Sequence, residues 1–470
     1  MNYNQLNPQD VWKYFKEISD IPRCSDDEQR ISDYLVNFAK ERNLEVRQDE
    51  ALNVIIKQPA TEGYEDRPVV ALQAHMDMVC VKENESDHNF DTDPIELIVD
   101  GEWVRANGTT LGADDGMGVA YILAVLDDKD LAHGPLEAII TTGEETSMVG
   151  ANAIDLTDIK AKYLLNIDSE EDGILTIGCA GGLDLEITWD VELEDVKGDV
   201  LKLELSDFEG GHSGMEIDKA RLNTIKTIGR LLVDLDGLQI LDLEGGVKRN
   251  AIASTASIVF SVADGKKAQE IINGKIEDIL NESKDTDPNG KIVFTEESYD
   301  GQAIKTEISQ NIINALFTLP DGLYKKHEGE LITSSNLGIL EYKDNVVRVS
   351  SMIRSQIDSA KENRAAIAIK IVEQFGANAE IKSKYSGWQR EETVLTQIFD
   401  EVWTEQNGSA MDIGTTHGGL ECGLFKGTIP HVEMISFGPE IQGAHSPAEK
   451  ADIKSVEKNY ALLKEVLKRI

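Results

Sequence analysis

Apolar and polar positions alternate in two rhythms along this chain. Short apolar runs end abruptly on an acid or a histidine, and longer stretches carry helical spacing. The clearest short run is Val69-Val70-Ala71-Leu72-Gln73-Ala74, which stops at His75-Met76-Asp77. Residues 137–142 form a second and end at Gly143-Glu144-Glu145. Residues 163–167 form a third and end at Asp168. Late in the chain 431–437 form a fourth, followed by Gly438-Pro439 and a loop holding His445. Four to eight apolar residues bounded by turn signals predict buried strands. Residues 44–47 and 53–57 predict a strand pair, and 94–104 a hairpin-like excursion. Helical spacing appears at Ile31, Leu35 and Phe38, after a Ser25-Asp26-Asp27-Glu28 stretch with the form of a capping box. It recurs at 394–406 and at 454–470, with Val456, Leu463, Val466 and Leu467 on one face. Residues 119–126 are apolar all round, which predicts a buried helix. Strands alternating with helices predict parallel pairing in a doubly wound sheet.

The pattern changes near Trp189. From there to about Lys384, strands at 200–205 and 256–262 mix with helices at 220–235 and 268–281, and 281–291 is a polar turn region. This reads as an inserted α+β lid domain at 189–385. The catalytic α/β domain, a doubly wound mixed sheet, is then made of two parts, 1–188 and 386–470. A chain of 470 residues has room for such an arrangement.

Composition narrows the function classes. Acidic residues outnumber basic ones 86 to 46, for a net charge of −40. Such a field repels phosphate backbones and anionic lipid, which argues against nucleic-acid and membrane partners. The acids are spread along the chain, so most form a solvated surface. The N-terminal stretch has neither the basic nor the apolar part of a signal peptide, and no run of 18 apolar residues occurs. Cys24, Cys80, Cys179 and Cys422 are scattered without a CxxC, which predicts free thiols in a reducing, cytoplasmic setting.

The run ends collect His75, Asp77, Asp114, Asp115, Glu144, Glu145, Asp168 and His445. Catalytic groups of open α/β sheets gather beyond the carboxyl ends of strands. Side chains alternate along extended backbone, so His75 and Asp77 face the same way, and a carboxylate there can fix the imidazole tautomer. Asp114 and Asp115 sit in a glycine-rich loop, Leu111-Gly112-Ala113-Asp114-Asp115-Gly116, that lacks the Gly-Lys-Ser/Thr ending of a phosphate-binding loop. Imidazoles and carboxylates without cysteine suit zinc, manganese or cobalt. Acids converging at one place repel one another unless a cation joins them. Of the adjacent glutamates, one can ligate while its neighbour takes a proton from water.

Taken in order, the motifs Ala74-His75-Met76-Asp77, Leu111-Gly112-Ala113-Asp114-Asp115-Gly116, Thr141-Thr142-Gly143-Glu144-Glu145-Thr146, Asn166-Ile167-Asp168-Ser169-Glu170-Glu171 and Gly443-Ala444-His445-Ser446-Pro447 resemble the M20 family of dinuclear zinc peptidases. Gly210-Gly211-His212-Ser213-Gly214, Lys248-Arg249-Asn250-Ala251-Ile252, Ile353-Arg354-Ser355 and His417-Gly418-Gly419-Leu420-Glu421-Cys422-Gly423 extend the resemblance to its aminoacyl-histidine (Xaa-His) dipeptidase branch, over essentially the whole chain. The resemblance implies two divalent metal ions, zinc first, with manganese or cobalt as alternatives. It places His75 and Asp168 on one ion, Glu145 and His445 on the other, and Asp114 between them, with a cis peptide at Asp114-Asp115. It makes Asp77 the partner that orients His75 and Glu144 the general base. It gives His212 the developing oxyanion, Asn250 a substrate contact and Arg354 the carboxylate end of a dipeptide. It further implies small dipeptide substrates and a homodimer. An N-acyl amino acid deacylase or a tripeptidase would use the same metal residues, and a non-catalytic peptide-binding protein the same fold. His417 fits a pocket or a structural role equally, and His88, His133, His327 and His431 carry no assigned role.

Overall fold

The computed structural model describes residues 3–470, and the chain divides into two compact units. The first comprises Met1–Gly178, Arg390–Thr415 and Leu420–Ile470; the second comprises Cys179–Gln389 and Thr416–Gly419.

The first unit is built on an eight-stranded sheet. Its order is Glu45–Gln48, Val54–Gln58, Leu136–Thr141, Val70–His75, Tyr163–Asn166, Glu433–Ser436, Ile174–Cys179 and Asp412–Thr416. The four strands Leu136–Thr141, Val70–His75, Tyr163–Asn166 and Glu433–Ser436 run parallel, while Val54–Gln58 pairs antiparallel with Leu136–Thr141 and Glu45–Gln48, and Ile174–Cys179 antiparallel with Glu433–Ser436, so the sheet is mixed. Val70–His75, Leu136–Thr141 and Tyr163–Asn166 are buried along their whole length, as mainly apolar strands in a covered sheet should be. Helices Gln9–Ser19, Gln29–Glu41, Ala113–Asp127, Val394–Asn407 and Ile453–Arg469 belong to this unit. Ala113–Asp127 is buried from Ala113 to Leu126, in keeping with its lack of a polar face. The 94–104 excursion is an antiparallel hairpin of Leu97–Asp100 and Trp103–Ala106. Parallel order brings the carboxyl ends of the central strands to one edge, where their acids and histidines emerge.

The second unit holds a nine-stranded antiparallel sheet. Helices Thr224–Leu232, Gly265–Ser283, Thr306–Thr318 and Asp358–Gln374 contribute Ile225, Ile228, Ile272, Ile312, Leu316 and Val372 to its apolar core. The change of pattern comes earlier than Trp189. The strand Gly181–Asp190 pairs with Val346–Ser355 from Gly181↔Ser355 to Asp190↔Val346, so it lies wholly within this sheet.

Two expectations are corrected. The Ser25–Glu28 stretch does not cap the helix Gln29–Glu41, whose N-terminal flank has no side-chain cap bond. Ser25 Oγ instead donates to Asp77 Oδ2 at 2.8 Å, and Glu28 Oε1 accepts from the Gly143 N–H at 3.1 Å. The four cysteines do not all stay thiols: Cys24 and Cys80 form a disulfide, with Cα atoms 5.6 Å apart, while the buried Cys179 and Cys422 are not disulfide-bonded. The chain brings them together because Cys24 forms a parallel bridge with Met78, flanked by Ser25 N–H to Met78 O and Met78 N–H to Arg23 O. The cysteines therefore lend no support to a reducing compartment. Thiol titration of the unfolded chain should find two reactive sulfurs without reductant and four after reduction; four in both would contradict the pairing.

Candidate metal centre

Every residue expected at the metal centre lies in the first unit. His75 is the last residue of its strand and only 1% exposed. Its Nε2 lies 3.2 Å from Asp114 Oδ1 and 3.4 Å from Asp168 Oδ1, and its Nδ1 lies 3.4 Å from Asp77 Oδ1. His445 Nε2 lies 3.1 Å from Asp114 Oδ2 and 2.9 Å from Glu145 Oε2. Two groups result, His75–Asp114–Asp168 and Asp114–Glu145–His445, each with its candidate ligand atoms within 4.8 Å of one another. Asp114 belongs to both and presents one oxygen to each histidine.

The loops that deliver these side chains are held by a few buried carboxylates. Asp77 is fully buried and accepts from the N–H groups of Glu144 at 3.1 Å and Glu145 at 3.3 Å, as well as from Ser25. One acid thus fixes the turn carrying the glutamate pair while facing His75. Asp115 accepts from the N–H of His75 at 3.2 Å and of Gly118 at 3.0 Å, tying the start of the buried helix to the end of the central strand. The Asp114-Asp115 peptide bond is cis.

Electrostatics follows from this crowding. Burial opposes a charge on His75, but Asp168, Asp114 and Asp77 together hold its pKa well above the ordinary value. Hydrogen bonds donated to the Asp114 and Glu145 carboxylates raise His445 to about 11, against its burial. Asp114 is held far down by the two histidines against its own burial. Burial pushes Glu144 well above the usual carboxylate range; Asp168, Glu421 and Glu145 add to the rise and His75 opposes it. A carboxyl displaced upward in this way is poised to exchange a proton.

The donor set fits divalent cations. Each group offers one imidazole nitrogen and carboxylate oxygens without sulfur, the mixture that zinc, manganese and cobalt accept. Glu145 Oε1 is buried with no hydrogen-bond partner among the described residues, although its neighbour Oε2 meets His445. Proton and cation compete for the same imidazole nitrogen, so binding would release protons.

His212, Asn250 and Arg354 lie in the second unit, apart from these ligands in the division of the chain. His212 pairs with Ala251 in the short ladder next to Asn250, and the Asn250 carbonyl accepts from the Ser213 N–H at 2.9 Å. The Met215 N–H donates to His212 Nδ1 at 3.1 Å, which leaves the proton on Nε2. Burial, reinforced by Arg354, pushes His212 down to about 4, so it is a neutral N–H donor at neutral pH. Arg354 is 5% exposed, donates to Tyr385 Oη at 3.3 Å, and keeps a buried Nε without a partner among the described residues. Asn250 is exposed. His417 Nε2 lies 2.8 Å from Ser334 Oγ.

Several supporting residues were not singled out by sequence reasoning. In the sequence Arg23 and Glu28 look like ordinary loop residues, and Ser25 has the form of a helix cap. Glu421 was noted only inside a motif; its Oε2 accepts from Gln73 Nε2 at 2.5 Å and Thr141 Oγ1 at 2.7 Å, and burial pushes it up to about 8. Glu449 follows His445 by four residues, and its sequence neighbours give no sign of its amide partners.

A family profile for peptidase family M20/M25/M40 matches residues 71–469. The cytosol non-specific dipeptidase of Escherichia coli (strain K12) is 38% identical over 479 residues, covering 99% of this chain and 99% of that protein. The crystal structure of aminoacylhistidine dipeptidase from Vibrio alginolyticus superposes with a TM-score of 0.90 at 37% identity, covering 100% of this chain and 98% of the other. A tripeptidase from Staphylococcus aureus shares the fold at a TM-score of 0.58 and 17% identity, covering 99% and 98%. With the profile spanning most of its length and a relative of this identity matched end to end, the chain belongs to peptidase family M20/M25/M40.

Proposed function

We propose that this chain is a dinuclear metallo-dipeptidase, a hydrolase of small dipeptides. The observation that carries the reading is Asp114, whose two carboxylate oxygens serve separate ligand groups, one with His75 and Asp168, the other with Glu145 and His445. When bound there, two divalent ions, zinc first and manganese or cobalt otherwise, would polarise the scissile carbonyl and lower the pKa of water so that it can give up a proton as it attacks. Glu144 takes the proton from the attacking water and returns it to the departing amine. Asp77 holds His75 in one orientation and fixes the turn from which Glu144 and Glu145 project. In the second unit, the Nε2–H of neutral His212 supplies a hydrogen bond to the oxyanion, and the Arg354 guanidinium pairs with the free carboxylate of the dipeptide. Asn250 contacts the substrate through its exposed amide. Cytoplasmic residence and a homodimer complete the proposal. Among the described residues no helix is long and apolar enough to cross a membrane, and the acidic surface disfavours nucleic acid.

The test is a chelated and dialysed preparation, reloaded with zinc, manganese or cobalt and offered dipeptides, tripeptides and N-acetyl amino acids. Dipeptide turnover should vanish on chelation, return with metal, and exceed the other two classes at least about tenfold, or roughly 1.4 kcal/mol of barrier. Activity that survives chelation, or a preference for tripeptides or N-acetyl substrates, would overturn it.

A further inference from the structure

Four consecutive backbone N–H groups converge on one buried side chain. Glu449 is 2% exposed; its Oε2 accepts from Leu111 at 2.8 Å and Gly112 at 3.0 Å, and its Oε1 accepts from Ala113 at 2.7 Å and Asp114 at 3.4 Å. Gly112 has a φ of 68°, the left-handed conformation that lets successive amides point the same way. Such a concavity ordinarily takes a bound anion, and here the chain fills it with its own carboxylate. The carbonyl groups of the same loop region are held by a buried cation. Arg23, 2% exposed, donates from Nη2 to the Gly112 carbonyl, and from Nη1 to Met76 O at 3.0 Å and Asp77 O at 3.2 Å. The packing around it leaves no slack, since a Cβ at Gly112 or Gly116 would come within 2.6 Å or 2.5 Å of Arg23 Nη2.

These contacts join three segments. Arg23 grips the carbonyls just after His75, the 111–114 loop carries Asp114, and Glu449 closes the turn that carries His445. That turn is internally bonded, with the Glu449 N–H on Ser446 O at 3.1 Å and Ser446 Oγ on Gly443 O at 2.7 Å. We propose that Glu449 is a positioning residue of the metal centre: by taking the amides of 111–114, while Arg23 takes the Gly112, Met76 and Asp77 carbonyls, it sets Asp114 at the reach of both His75 and His445. The inference rests on the metal-centre reading above. It adds a residue that ligates nothing and contacts no substrate, yet sets whether one carboxylate can serve two ions. Charge-assisted bonds to amides are short and directional, so the loop is fixed in position as well as tethered. Outer carboxylates that orient ligands commonly change metal affinity 10–100-fold when altered.

The decisive variant is Glu449→Gln, which keeps the size and one acceptor oxygen but turns an amide NH2 toward two backbone N–H donors. Zinc titration calorimetry on the metal-free full chain should show the weaker of the two sites losing about 10–100-fold in affinity. The cobalt-loaded protein should show an altered visible absorption spectrum, and kcat should fall with KM nearly unchanged. Two sites of parent affinity and a parent cobalt spectrum in the variant would overturn the role of Glu449. A parent chain that binds no metal would instead overturn the metal-centre reading, so the two failures are distinct. If Glu449→Gln shows no cooperative unfolding transition, Arg23→Lys replaces it. That variant keeps the positive charge but cannot reach Gly112, Met76 and Asp77 together, and parent affinity in it would overturn the clamp.

Discussion

Replacing Glu144 with Gln should lower kcat for a dipeptide by about 10²–10⁴-fold, the range typical of a lost general acid–base group, while both cations stay bound. The two halves of this expectation come from different atoms. The Glu144 backbone N–H donates to Asp77 Oδ1, so the turn survives the change of side chain. The Glu144 carboxyl belongs to neither ligand group, so the change subtracts a proton carrier and leaves the ligands alone. Burial and the charges of Asp168, Glu421 and Glu145 hold Glu144 well above its ordinary pKa, and bound cations would push it back down. A carboxyl under two opposing influences is suited to pick up and release a proton within one turnover. The measurement is steady-state kinetics beside elemental analysis of the same sample. Parent kcat with two ions bound would remove Glu144 from the mechanism; loss of metal would make it a ligand.

Asp114→Ala should be the most damaging single change at the centre. It removes a ligand from both groups at once, whereas Asp168→Ala or His445→Ala removes one from a single group. Elemental analysis after dialysis should find well under one ion per chain for Asp114→Ala and about one for His445→Ala. Activity in Asp114→Ala should fall below that of either single-group variant. The loss also takes from the buried His75 one of its three carboxylate neighbours, at 3.2 Å, and from the half-exposed His445 the carboxylate it meets at 3.1 Å. Equal metal content in Asp114→Ala and His445→Ala would show that Asp114 does not bridge.

Three ligands and the proposed base are legible in the sequence because they sit where a strong pattern stops. His75, Glu144, Glu145 and Asp168 follow mainly apolar runs, and a run of four to eight such residues bounded by turn signals reads as a buried strand; Asp114 and His445 read as loop residues and depend on the motif resemblance. The motif resemblance then sorted them into roles. The parallel order of the central strands followed from the helices between the runs, and the antiparallel flanks and the mixed sheet bear out the fold class. What escaped is long-range and polar. The Cys24–Cys80 link spans 56 residues, and spacing alone cannot pair scattered thiols. Ser25 has the local form of a helix cap, and only the folded chain shows its hydroxyl spent on Asp77. Glu449 is one acid among 86 acidic residues, with nothing in its neighbours to announce four amide donors from residues 111–114. The start of the second unit was placed late because Gly181–Asp190 is nearly as buried as the strands before it, and burial alone does not say which sheet a strand joins.

The polypeptide leaves one unit for the other at 178/179, 389/390, 415/416 and 419/420. Thr416–Gly419 therefore reach the second unit only after residues 390–415 have been laid down for the first, and they bring His417 to Ser334. During synthesis on the ribosome, the second unit lacks its final four residues until position 419 has emerged, and the first lacks its helix Ile453–Arg469 until position 469 has emerged. Neither half can be lifted out as an uninterrupted cassette: a gene fragment covering 179–389 would omit the tetrapeptide that finishes it.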